Sequence, residues 1–242
     1  MARDPVSEAG VDVREGDAAF VDKWRARWPE WRIAEVFVPA TQRARALAWA
    51  ALRQELTDAA WAHRDTRPGD AKLAWWTEEL HGWTRGARRH PLGGLLHKID
   101  APWTGLAAAL PSLPATRERP RDRDDAWQAV RGFADATSAI DVVLFDGSAP
   151  APDAAIAHLL ATRGLHDPDV AIPLSEQARA GQGDAGAGWR STLLAHWPAR
   201  AGGPAARSVE LGLARARVTH GDAGRPLGGL ATLAAAWRAA RN

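Results

Sequence analysis

The side chains that could do chemistry in this 242-residue chain are carboxylates and basic groups set among apolar neighbours. Glu55 interrupts an apolar helical stripe from within. A carboxylate there is either functional or held by a basic partner, with Arg43, Arg45 and Lys72 the nearest candidates. Asp58 follows it and reads as a solvated acidic residue on an exposed flank. Trp75 and Trp76, with Glu79 on the same segment, could line a cavity, although tryptophans at helical spacing are commonly core. His90 and His97 suggest a metal pair, but no third ligand is spaced to join them. No phosphate-binding P-loop, G-x-S-x-G elbow or H-E-x-x-H motif occurs. The absence of cysteine and tyrosine excludes thiolate nucleophiles, disulfides, cysteine-type zinc sites and phenol acid–base work.

These groups need helices to position them. Trp24 and Trp28 are four apart, a helical spacing that begins near Ala18. Thr41 stands as N-cap for a long helix running to about His63, striped by Ala44, Leu47, Ala48, Ala51, Leu52, Leu56, Ala59 and Ala60. Thr66 to Asp70 reads as a turn before a helix from Lys72 to about Gly86, with Leu73, Trp76, Leu80 and Trp83 on one face. Leu47, Leu52, Leu56, Leu73, Trp76 and Leu80 are therefore predicted to be buried together. Pro91 suits the first position of another helix, and Pro111 to Arg123 reads as an exposed loop. A helix from Asp124 to Phe145 stops at Asp146-Gly147-Ser148, and further helices fall near 153–163, 187–196, 204–218 and 226–240. The predicted class is all-α, with one domain over 18–242 and a disordered lead over 1–17.

Charge and hydropathy narrow the function classes. The formal net charge is only +2 despite a pI near 9.6, and acids are interleaved with the arginines, so nucleic acid is set aside. The polar, acidic start reads as neither signal nor transit peptide. No apolar run approaches the roughly 18 residues a spanning helix needs. The expected location is the cytoplasm, with peripheral membrane contact through arginine-rich helices as one reading.

The stretch from Glu35 to Ile99 resembles the squalene/phytoene synthase family. Val36-Phe37-Val38-Pro39 is similar to the family's apolar-proline opening, and it precedes a helix carrying Arg43, Arg45 and Leu52-Arg53-Gln54-Glu55. Lys72-Leu73-Ala74-Trp75-Trp76-Thr77-Glu78-Glu79-Leu80 looks like its tryptophan-pair signature, followed by Gly86 and His90-Pro91-Leu92. Phe133-Ala134-Asp135-Ala136-Thr137-Ser138 continues the likeness more thinly. The resemblance implies an antiparallel helix bundle around a central cavity, as in isoprenoid synthases.

In active members of that family, paired aspartates four residues apart on two facing helices hold magnesium, which activates a prenyl diphosphate leaving group. Here Thr57 and Trp61 occupy the first pair's positions, with Asp58 the surviving acid. The second motif aligns with Ala155 to Leu174, where Ile156 to Arg163 has no acidic residue and Asp167 and Asp169 look like turn residues. The resemblance thus implies a divergent member without prenyl transfer and without a bound metal, acting as a scaffold or as a lipid- or partner-binding protein. The family includes a branch associated with assembly of respiratory complex I. The alternative is an active prenyltransferase using magnesium, which would need Glu55, Asp58 and Asp141 to converge. Arg43, Arg45, Glu55, Asp58, Lys72, Trp75, Trp76 and Glu79 are the candidate cavity residues.

Overall fold

The computed structural model describes residues 18–62 and 65–241, so the lead expected over 1–17 and the helix end expected at His63 lie outside the described residues. Among the described residues every regular element is helical. In chain order these are α1 (18–27), α2 (Trp31–Ala34), α3 (Arg43–Trp61), α4 (Thr66–Trp83), α5 (Trp103–Ala109) and α6 (Arg123–Phe145). They continue as α7 (Pro152–His166), α8 (Pro168–Ala171), α9 (Leu174–Ala180), α10 (Ala185–His196), α11 (Ala205–Thr219) and α12 (Gly229–Ala240). No described helix is long and apolar enough to cross a membrane.

α3 is the axis of the molecule, because every residue from Ala46 to Trp61 is buried. A helix enclosed on all sides has no solvated face, so its polar members must find partners inside. Its alanines admit close neighbours, with α4 and α7 packed against it. Gly69 of α4 makes the closest approach: a Cβ there would lie 2.3 Å from the carbonyl oxygen of Ala59. The leucines and Trp76 predicted to pack together are all buried in one core. Within it, rings succeed each other from α4 to α5 to α3. Trp76 lies 6.5 Å from Trp83, Trp83 4.9 Å from Trp103, and Trp103 6.0 Å from Trp49.

Four local expectations are corrected. Asp65 caps α4 by accepting from Arg67 N, so that helix begins at Thr66 with Pro68 tolerated in its first turn, where a turn was expected. α3 begins at Arg43 after a 3₁₀ turn over Ala40–Gln42, and Thr41 is not its cap. Only a 3₁₀ turn, Pro91–Gly94, follows His90 in place of a helix. Leu110–Arg117 is a 3₁₀ helix and not an exposed loop: Leu110, Leu113 and Thr116 recur every third residue, matching its three-residue turn, and all are buried.

The ends of α6 explain Arg45 and Gln42. Asp122 accepts from Asp125 N at the start, and Asp146 closes the end in the left-handed region with φ 51°. Arg45 donates to the exiting carbonyl of Leu144 (2.6 Å) and Gln42 to that of Phe145 (3.4 Å). Elsewhere Glu30 accepts from Arg217 (2.5 Å) and from Leu227 N (2.8 Å), which fixes the lead into α12 beside α2.

Candidate functional site

Glu55 and Asp58 both lie buried on α3, so the reading of Asp58 as a solvated flank residue is wrong. The exposed flank does not exist, because α1 and α7 cover it. Lys23 of α1 bridges the two acids, at 2.5 Å from Glu55 and 2.9 Å from Asp58. Lys72 of α4 completes Glu55 at 2.5 Å, and Arg27 meets Asp58 at 3.0 Å, with His166 at 3.5 Å. Burial pushes both carboxyls up, but these cations outweigh it and hold both below the usual carboxylate range. Lys72 was a predicted partner of Glu55; Lys23 and Arg27 were not.

The deeper site is a charge network that the sequence reading did not assemble. Glu210 of α11 accepts from Arg53 (2.6 Å) and Arg207 (2.9 Å), while Asp141 of α6 lies 3.3 Å from Arg207 and accepts from Trp49 at 2.7 Å. All four charged groups are buried. Two cations face two anions, so the cluster is neutral overall. Burial raises both carboxyls, and Asp141 stays raised, whereas the paired guanidiniums hold Glu210 at about 2. Arg207 also donates to His158 Nδ1 at 3.2 Å, which requires that nitrogen to be an acceptor. Burial, reinforced by the Arg207 charge, lowers His158 to about 3, so the ring is neutral at physiological pH. Arg53 Nε, Gln54 Oε1, Asp141 Oδ2 and Arg207 Nε have no hydrogen-bond partner in the protein.

This network borders the central space between α3, α6, α7 and α11. That space measures about 40 Å³ and is lined chiefly by Trp28, Arg53, Gln54, His158, Arg207 and Glu210. It has room for a few waters, far short of the ~300–1,000 Å³ of an ordinary small-molecule pocket. Thr57 also lines it, but its hydroxyl donates back to the carbonyls of Arg53 and Gln54, both at 3.0 Å. Trp61 does not line it; its indole donates to Thr116 at 2.8 Å.

The remaining candidates separate from this centre. Arg43 donates to Val38 O (3.0 Å), and Arg45 serves the end of α6, so neither reaches Glu55. Glu79 is wholly buried and is used by its own loop. It accepts from Arg89 N and His90 N, both at 2.8 Å, from Trp83 at 2.9 Å and from Arg89 Nε at 3.0 Å. Trp75 and Trp76 pack on His90, at 5.8 and 4.5 Å between ring centres. These residues brace the turn after α4 and line no central cavity. Asp167 caps α8 through Val170 N (3.1 Å), the turn role expected of it.

Magnesium does not fit these donors. Glu55 and Asp58 already carry three cationic partners between them, and Asp141 stands apart with Arg207 and Trp49. Among the described residues no group of three histidines or carboxylates is placed to hold a metal ion. No known family model matches the chain, and no curated protein is significantly similar to it. The signal that could have exposed the network lies in α11: Arg207 and Glu210, three apart between Ala206, Val209 and Leu211, put two charges on an apolar helix.

Proposed function

We propose that the chain is a divergent squalene/phytoene synthase-like protein without prenyl transfer. It would act in the cytoplasm, at or beside a membrane surface, as a helical scaffold or as a lipid- or partner-binding protein. The motif strings from Val36 to Leu92 support the likeness, and the isoprenoid synthase-like bundle is part of the proposal. The observation that carries the absence of chemistry is the central space. It measures about 40 Å³, and its wall includes Arg53, Arg207 and Glu210, whose charges are balanced with Asp141 just behind them in a neutral network. A prenyl chain finds no room there, and a diphosphate finds no pair of free carboxylates through which magnesium could bind it.

Incubating the protein with farnesyl or geranylgeranyl diphosphate and magnesium, and following diphosphate release, tests this reading. Release no faster than the protein-free control is expected. Magnesium-dependent release would overturn it. Restoring acids by Thr57→Asp and Trp61→Asp should not create turnover, because Trp61 is buried against Thr116 and the facing stretch Ile156 to Arg163 has no acid.

A further inference from the structure

α12 turns its small residues inward and its large ones outward. Thr232, Ala235, Ala236 and Ala239 are buried, and the fit on α11 is so close that a Cβ on Gly212 would lie 2.5 Å from that of Ala239. Leu230, Leu233 and Trp237, spaced by three and four, form one outer stripe with exposures of 86%, 45% and 48%. Ile33 of α2 and Val36, at 39% and 60%, extend the surface, Ile33 Cδ1 lying 3.8 Å from where a Cβ on Gly229 would stand. Burying alanine while exposing leucine and tryptophan gives up hydrophobic stabilisation unless something covers the stripe.

Charge says what covers it. Residues 224–241 hold Arg225, Arg238 and Arg241 and no acidic residue. Arg200, Arg238 and Arg241 line a groove of about 410 Å³ beside Trp237, and the Arg241 guanidinium sits 4.5 Å over that ring. Among the described residues, none of these three arginines is within ion-pair distance of a carboxylate. A second copy placed on the stripe would bring the arginine clusters together, like against like. An anionic bilayer offers both halves of the complement, acyl chains for the leucines and phosphates for the arginines, with tryptophan at the boundary between them.

We propose that Leu230, Leu233, Trp237, Ile33 and Val36 seat in the surface of an anionic membrane, with Arg200, Arg238 and Arg241 on lipid phosphates. The inference specifies the membrane contact of the proposed function. Vesicle binding is read separately from diphosphate release, so either can fail alone.

Flotation of the full chain with phosphatidylcholine–phosphatidylserine vesicles, against phosphatidylcholine alone, is the test. Binding to the anionic vesicles is expected. Leu230→Ser/Trp237→Ser should weaken it at least about tenfold, and Arg238→Gln/Arg241→Gln should abolish the preference for phosphatidylserine. Both pairs are exposed, and an unchanged far-ultraviolet spectrum checks that they fold. No flotation at low ionic strength overturns the proposal, as does equal flotation of wild type and the Leu230→Ser/Trp237→Ser variant. Self-association or poly-glutamate binding that needs the stripe, without vesicle binding, also overturns it, in favour of a second copy or an acidic protein partner.

Discussion

Glu210 accepts from two buried guanidiniums at once, so it joins Arg53 of α3 to Arg207 of α11 inside the core. Glu210→Gln would leave Arg53 and Arg207 facing Asp141 alone, an uncompensated buried charge. Destabilisation of about 3–5 kcal/mol is expected in urea unfolding, and a loss below about 1 kcal/mol would show that the network relaxes or hydrates. His158 sets a pH dependence of known sign. Its folded pKa of about 3 lies below the ordinary 6.5, so between those values the unfolded chain binds a proton that the native chain refuses. Stability attributable to this ring is complete above the unfolded value and drains as pH falls, by about 1.4 kcal/mol per pH unit. Unfolding curves between those limits should be shallower in pH for His158→Gln; an identical slope would mean that the ring is protonated in the native state.

At the scale of elements, the packing of α3 on α4 was legible in part. The leucine stripe of α3 and the Trp76 face of α4 are readable as periodicity, but how near the helices come is decided by Gly69 under the carbonyl of Ala59. Gly69→Ala must push backbone from backbone and should cost about 1–3 kcal/mol. Gly132 in α6 has nothing within 4 Å of its added Cβ, so Gly132→Ala should instead stabilise by up to about 1 kcal/mol through helix propensity. Opposite signs in a single thermal-melt series confirm the spacing, and like signs refute it. The 3₁₀ helix Leu110–Arg117 was missed because its prolines suggest a loop, while its three-residue period is too short for the helical template used to find α-helices.

At the scale of the molecule, the aromatic succession Trp76, Trp83, Trp103 and Trp49 ties α4, α5 and α3 into one core. Trp76→Ala should therefore lower global stability by about 3–5 kcal/mol in a single cooperative transition. Loss of under about 1 kcal/mol, or a separate early transition, would mean that α4 is not integral to that core. The sequence by itself determined the helical class, most element positions and the buried α3–α4 stripe, because periodicity and caps are local and every helix must hide one face. It also marked Glu55 as needing a cation. Only the tertiary structure decided which cation, that Asp58 is enclosed, and that Arg53, Asp141, Arg207 and Glu210 meet. Those pairings join residues up to 157 positions apart, and no local pattern encodes which buried charges will find each other across a core. The same holds for the outer stripe of α12. Its leucines face outward because alanine and glycine take the inner contact with α11.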